Sequence, residues 1–161
     1  EDGSMFGEEY TLVACADYVL GKLGGGNTVS NLSSSRALRD ITEKHGGNYT
    51  ASAVGEVNVV AAMKATNTVI GGEGNGGIIY PESHYGRDSL VGVALFLSHL
   101  AKGDKSCKEL RDSYPEYYMS KNKIQLTPTL DVDAILEQMA IKYKKETVNT
   151  IDGVKVDFDD V

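Results

Sequence analysis

Between positions 71 and 77 the chain reads Gly71-Gly72-Glu73-Gly74-Asn75-Gly76-Gly77, five glycines in seven residues. Glycine has no Cβ, so it weakens the interior of a helix or strand and favours backbone angles and close approaches that other residues resist. The fold must therefore bend here, and a ligand can come close to the backbone. A second run, Gly24-Gly25-Gly26, breaks the chain earlier, and 18 glycines in 161 residues is a high total.

Between these breaks the apolar residues are periodic. Leu12, Val13, Ala16, Val19, Leu20 and Leu23 keep helical spacing over Glu8–Leu23, with acidic residues at the start, Lys22 near the end and Gly24 as the stop. Strand and helix signals then alternate. Strands are expected at Thr28–Leu32, Tyr49–Val54, Thr68–Ile70 and Ile78–Tyr80, and helices at Arg36–His45 and from Glu56 to Lys64. Asp88 reads as the N-cap of a helix over Ser89–Ala101, with Leu90, Val93, Ala94, Leu97 and Leu100 as its core face, and a short helix follows at Ser106–Arg111. Short connections between alternating elements predict an α/β domain of three layers, α/β/α, around a small, mostly parallel mixed sheet.

At the N-terminus, Asp2-Gly3 signals a turn and Ser4–Gly7 reads as the return strand of a hairpin, so residues 1–7 are taken as a remnant of a preceding domain or linker. The α/β domain is expected over 8–114. Pro115 marks its end, and 115–161 reads as a linker plus an incomplete α+β segment that opens a further domain. That segment is predicted to hold a strand at Tyr117–Leu126, a helix at Asp131–Lys145 and a hairpin at Val148–Phe158 turning at Asp152-Gly153, before Asp159-Asp160-Val161. Its incomplete edge is expected to allow pairing with a second copy.

Composition narrows the function. A net charge of −7 argues against nucleic acid, which needs a basic footprint, and no apolar run is long enough to span a bilayer. No secretory signal is seen, so the expected compartment is the cytoplasm. Cys15 and Cys107 are too few for a disulfide framework or a zinc site, and Cys15 reads as a plain buried thiol.

Gly72 to Gly77 satisfies the bare pattern G-x-G-x-x-G, but a dinucleotide site needs that pattern to open a helix. Here it leads into Ile78-Ile79-Tyr80-Pro81, which is strand-like, so a nucleotide-binding oxidoreductase is disfavoured. Glu73 and Asn75, one glycine apart, would project the same way from an extended segment. A carboxylate that accepts and an amide that both donates and accepts, set among glycines, suit the vicinal hydroxyls of a sugar; a flexible turn with two solvated side chains is the alternative. Ser33-Ser34-Ser35-Arg36 precedes a helix and offers either an anion site at Ser34, Ser35 and Arg36 or ordinary capping. In His84-Tyr85-Gly86-Arg87-Asp88, Arg87 is a candidate phosphate contact or a structural ion pair, and His84 a candidate ligand hydrogen bond. His45 and His99 read as structural. No Ser/His/Asp triad or metal-ligand set is visible.

Val69-Ile70-Gly71-Gly72-Glu73-Gly74-Asn75-Gly76-Gly77, followed by His84-Tyr85-Gly86-Arg87-Asp88, resembles the sugar-binding loop of the α-D-phosphohexomutases. Gly7-Glu8-Glu9-Tyr10-Thr11-Leu12, Ser34-Ser35-Arg36-Ala37-Leu38, Val54-Gly55-Glu56-Val57-Asn58-Val59 and Thr150-Ile151-Asp152-Gly153-Val154-Lys155 resemble further landmarks of that family, in order. The resemblance implies the third domain and the start of the fourth of an enzyme that interconverts hexose 1- and 6-phosphates through a phosphoserine and a bisphosphate intermediate. It implies substrate contacts at Gly72, Glu73, Gly74, Asn75, His84 and Arg87, with Glu73 on sugar hydroxyls. It places Asn75 where many relatives have serine and Gly77 where many have histidine. It also implies Mg2+, a phosphoserine and a phosphate loop in other parts of the parent, so this fragment alone is expected to be inactive. The expected partners are a hexose phosphate (glucosamine, glucose or mannose) and the remaining domains of the parent. A non-catalytic carbohydrate- or anion-binding module is the competing reading.

Overall fold

The computed structural model describes residues 3–158, and these fall into two compact units that divide between Tyr118 and Met119. The turn expected at Asp2-Gly3 begins outside the described residues, as does the terminal stretch Asp159-Asp160-Val161.

The first unit opens with α1 (Glu8–Leu23), which ends where Gly24 adopts a left-handed φ of 75° and donates its N–H to Leu20 O. Then follow β1 (Asn27–Asn31), α2 (Ala37–Lys44), β2 (Tyr49–Ser52), α3 (Glu56–Ala65), β3 (Thr68–Gly72), β4 (Ile78–Ile79), α4 (Ser89–Lys102) and α5 (Cys107–Asp112). The strands form one sheet in the order β2-β1-β3-β4. β1 is parallel to β2 and β3, while β4 returns antiparallel to β3 with Gly71 opposite Ile79 and Gly72 opposite Ile78. α1, α2 and α4 build a core with Ile70 and Ile78 on one side, and a smaller cluster of Val29, Val59, Met63 and Ile79 seats α3. This is the three-layer α/β/α arrangement with a small, mostly parallel sheet that the alternating pattern predicts.

Side-chain hydrogen bonds fasten the end of this unit. The Tyr10 hydroxyl donates to Pro115 O and accepts from the Tyr117 N–H, and the Tyr117 hydroxyl reaches Asp40 at 2.5 Å. On α1, Asp17 gathers His45 (2.7 Å), the Tyr114 hydroxyl (3.0 Å) and His99 (3.5 Å). Both histidines are thus in structural contacts, as their positions suggested. Cys15 is fully buried, with its thiol on Gly92 O.

Three expectations fail. Ser4–Gly7 is not a strand, and neither is Tyr117–Leu126, because no strand among the described residues lies beside either to complete a ladder. Tyr118, Ile124 and Leu126 stay exposed instead. On α4, Leu90, Val93 and Leu97 face outward at 79%, 55% and 57% exposure, while Leu95, Phe96 and Leu100 pack on the core. The helix is apolar on every side, so its spacing alone does not say which stripe is buried.

In the second unit, Asp131 caps α6 (Val132–Lys142) by accepting from the Ala134 N–H. β5 (Thr147–Asn149) and β6 (Lys155–Asp157) pair antiparallel across a turn at Gly153. No helix among the described residues is long and apolar enough to cross a membrane.

Candidate functional site

β3 and β4 are joined by the glycine-rich stretch folded into a tight hairpin. The Glu73 N–H donates to Gly77 O at 3.0 Å, and the Gly76 N–H to Glu73 O at 3.1 Å. Gly76 takes φ +87°, a value side chains disfavour. The two strands approach so closely that a Cβ on Gly72 would lie 1.9 Å from Gly77 O. At Gly74 a Cβ would meet Ser34 Oγ at 3.0 Å and Ser33 O at 3.2 Å, so the serine loop after β1 lies directly against the hairpin.

This turn corrects the expectation that Glu73 and Asn75 project together. That expectation assumes an extended backbone, and a bend of this tightness sends the two side chains to different places. Glu73 goes inward and is 5% exposed, whereas Asn75 stays at the surface and folds its Oδ1 onto the Gly77 N–H at 3.2 Å.

Glu73 is held from two sides. Its Oε1 accepts from Asn31 Nδ2 at 3.0 Å, and its Oε2 pairs with Arg87 Nη1 at 3.2 Å. Asn31 is itself fixed, its Oδ1 accepting from Ser34 Oγ at 3.2 Å. Arg87 also binds Glu56, through Nε at 2.8 Å and through its backbone N–H at 3.1 Å. Those bonds from the Arg87 backbone and guanidinium, opposed by slight desolvation, hold the Glu56 carboxyl below its ordinary range. The result is a chain of contacts, Glu56–Arg87–Glu73–Asn31–Ser34, that spans α3, the α4 approach, the hairpin and β1. An ionised carboxylate has about four acceptor positions, and Asn31 and Arg87 occupy two of those on Glu73, whose side chain is 7% exposed.

An open groove of about 580 Å3 runs beside the hairpin, lined by Glu8, Glu56, Asn75, Gly76, Gly77, Arg87 and Asp88 among others. Three carboxylates against one guanidinium make this wall acidic. Such a wall accepts hydrogen bonds from hydroxyls and repels a free anion. Arg87 is engaged by two carboxylates, which is the ion-pair alternative in its sequence reading. Its side chain also fills the space over Gly77, where a Cβ would stand 2.7 Å from Arg87 Cδ. His84 is exposed, with Nε2 3.0 Å from Asp88 Oδ2. Asp88 accepts from the Leu90 and Val91 N–H groups, and these bonds together with His84 keep its carboxyl below the ordinary range.

At the serine loop, the Ser35 N–H donates to Glu9 Oε1 at 2.5 Å and Ser35 Oγ accepts from the Ala37 N–H. The Glu9 carboxylate therefore occupies the Ser35 N–H, and Ser34 Oγ is turned toward Asn31. Among the described residues no three His, Cys, Asp or Glu side chains converge to hold a metal ion.

Asn31, Glu56 and Glu9 do not stand out as site residues in the sequence. Glu56 falls inside a quoted family landmark, but neither spacing nor composition pairs it with Arg87. Only the packing of α3 beside the hairpin does that.

The family profile described as phosphoglucomutase/phosphomannomutase, alpha/beta/alpha domain III matches residues 7–118. A phosphoglucomutase/phosphomannomutase from Thermococcus kodakarensis is 35% identical over 99% of this chain, and a phosphoglucosamine/phosphogalactosamine mutase from Sulfurisphaera tokodaii is 35% identical over 80% of it. The crystal structure of a phosphoglucomutase/phosphomannomutase family protein from Burkholderia thailandensis superposes with a TM-score of 0.79 at 25% identity, over 98% of this chain and 34% of that one. The chain spans about a third of the length of the curated relatives it matches.

Proposed function

Because the chain belongs to the phosphoglucomutase/phosphomannomutase family, with residues 7–118 matching its domain III, we propose that it supplies the sugar-hydroxyl wall of a parent enzyme that interconverts hexose 1- and 6-phosphates. The observation that carries this reading is Glu73: a carboxylate fixed by Asn31 and Arg87 at the turn that borders the acidic groove. Its spare acceptor positions suit ring hydroxyls, and Asn75 and the glycines beside it let a pyranose approach the backbone.

In this role the domain positions substrate. A mutase of this kind must present two ends of one sugar to the same phosphoryl donor, and a wall that reads hydroxyls by hydrogen bonds can hold either orientation. Phosphoryl transfer depends on positioning and on electrostatic stabilisation of the transferring group. An acidic wall supplies the first and not the second. We assign the phosphoserine, the magnesium site and the substrate-phosphate clamp to the rest of the parent, residues 115–161 to a linker and the opening of its next domain, and no turnover to the 161-residue chain alone. Magnesium, when bound in the parent, would supply charge neutralisation at the phosphoryl group.

The test is Glu73→Gln in the parent, assayed with glucose, mannose and glucosamine phosphates. The expected result is a raised KM and a kcat/KM loss worth about 1–3 kcal/mol. Unchanged kinetics on every hexose phosphate removes Glu73 from the site. Tight binding of glucose 1-phosphate by the 161-residue chain alone would instead favour a free-standing binding module.

A further inference from the structure

Glu73 has two partners of different kinds. Arg87 reaches it from the loop before α4 on a long stem, and the Arg87 side chain is 48% exposed. Asn31 reaches it from the end of β1, a strand paired along both edges, and is 4% exposed. A long, half-exposed side chain keeps rotamer freedom that a short, buried one has lost. Arg87 is therefore suited to balance the charge on Glu73, and Asn31 to fix its position.

The Asn31 amide is not free to turn, because its other end is tied. Its Oδ1 accepts from Ser34 Oγ at 3.2 Å, which leaves Nδ2 to donate to Glu73 Oε1 at 3.0 Å, and its backbone oxygen accepts from the Ser34 N–H at 3.1 Å. Ser34 in turn packs on the hairpin: a Cβ at Gly74 would stand 3.0 Å from Ser34 Oγ and 3.2 Å from Ser34 Cα. The bond from the Ser35 N–H to Glu9 Oε1 ties the same loop to α1. These contacts close a ring, from Glu73 to Asn31, to Ser34, to Gly74 and back along the chain to Glu73. Hairpin and carboxylate are thus set by one buried residue of β1, the kind of support that holds a binding group in a single geometry.

We propose that Asn31 is a positioning residue of the sugar wall: through Nδ2 it aims the Glu73 carboxylate at a ring hydroxyl, while Arg87 balances the charge. Asn31 acts only through Glu73. The proposal rests on the reading of Glu73 as a hydroxyl acceptor and adds that its aim is set from β1.

The test is a double-mutant cycle in the full-length parent, read as kcat/KM on the hexose phosphate that turns over fastest. Asn31→Ala is expected to lower kcat/KM by about tenfold, and by less than about twofold when Glu73→Gln is already present. Equal fold losses in the two backgrounds overturn the proposal, because a residue that only props the fold costs the same with or without the carboxylate. Unchanged kinetics in Asn31→Ala beside an impaired Glu73→Gln overturns it as well. An unimpaired Glu73→Gln removes the sugar assignment itself, and this proposal falls with it.

Asn31→Asp keeps the shape of the side chain and tests the donor directly, including where the alanine variant does not fold. At high pH two neighbouring carboxylates repel and no N–H faces Glu73, so kcat/KM drops. At lower pH a proton shared by the pair restores the hydrogen bond that the amide made. Arg87 and Glu56 face the site in both proteins, so their charges are common to the comparison. The ratio of variant to wild-type kcat/KM should rise severalfold as the pH falls from about 8.5 to about 6. A flat ratio, with circular dichroism showing both proteins folded across the range, overturns the proposal.

Discussion

Removing Arg87 should expose how the hairpin is held. Its guanidinium pairs with Glu73, whose side chain is 7% exposed, and with Glu56, whose side chain is 34% exposed, while Arg87 itself is 48% exposed. The two arms therefore differ in worth. The Glu56 arm is open to solvent, where screening leaves an ion pair little net worth. The Glu73 arm serves a buried carboxylate, and losing a charged hydrogen bond there costs about 1.5–3 kcal/mol. Arg87→Met keeps the side chain's apolar stem over Gly77 and leaves Glu73 with the Asn31 amide, for an expected loss of about 2 kcal/mol. Most of that loss is the penalty of an uncompensated carboxylate, so Glu73→Gln should relieve it. The double variant is expected to be more stable than the sum of the single losses by about 1–2 kcal/mol. Hydrogen exchange under increasing urea, read at the buried amides of β1 and β3, measures this unit by itself. Additive losses, within about 0.3–0.5 kcal/mol, would refute the claim that Arg87 serves Glu73.

Cys15 should be inert in the folded chain, because burial pushes its thiol up to about 12, and a disulfide reagent should titrate only Cys107 until denaturant is added. Burial lowers the His99 pKa against the pull of Asp17, so the unfolded chain binds that proton more readily. Stability should then fall as pH drops from about 6.5 through the lowered folded value, and His99→Gln should remove that slope in urea midpoints. For Asp17, burial raises the pKa, but bonds from His45 and Tyr114 and the charges of Lys44 and His99 outweigh it and leave the pKa low. That adds a separate loss of stability below about pH 4, which Asp17→Asn should abolish in the same midpoints. Gly72→Ala places a Cβ against Gly77 O and should cost about 2–4 kcal/mol by calorimetry; a neutral result would mean the hairpin strands can separate without loss.

The order of elements in the first unit was legible because its signals are local. Gly24 ends α1, Asp88 caps α4, and Gly71–Gly77 forces a bend between two short strands. What the sequence hid were the choices that only packing makes. Tyr117–Leu126 has strand-like residues, yet a strand exists only where another backbone pairs with it. The α4 stripe of Leu90, Val93 and Leu97 is as apolar as the stripe that became core. Asn31, an ordinary residue at the end of β1, reaches Glu73 because β1 and β3 are adjacent in the sheet.

The same distinction explains the site. Composition marked the hairpin as a place of close approach, and Glu73 as its one charged group. It did not say that the charge would be turned inward and gripped. That grip matters, because a carboxylate free to swing would pay ordering entropy each time it met a hydroxyl, whereas one already fixed by Asn31 and Arg87 does not. Since Arg87 is held in turn by Glu56, the hairpin's aim depends on α3 as well as on the strands beneath it. A substitution at Glu56, which lines the same groove, should therefore shift Arg87 and with it the Glu73 carboxylate, a coupling that no spacing in the chain reveals.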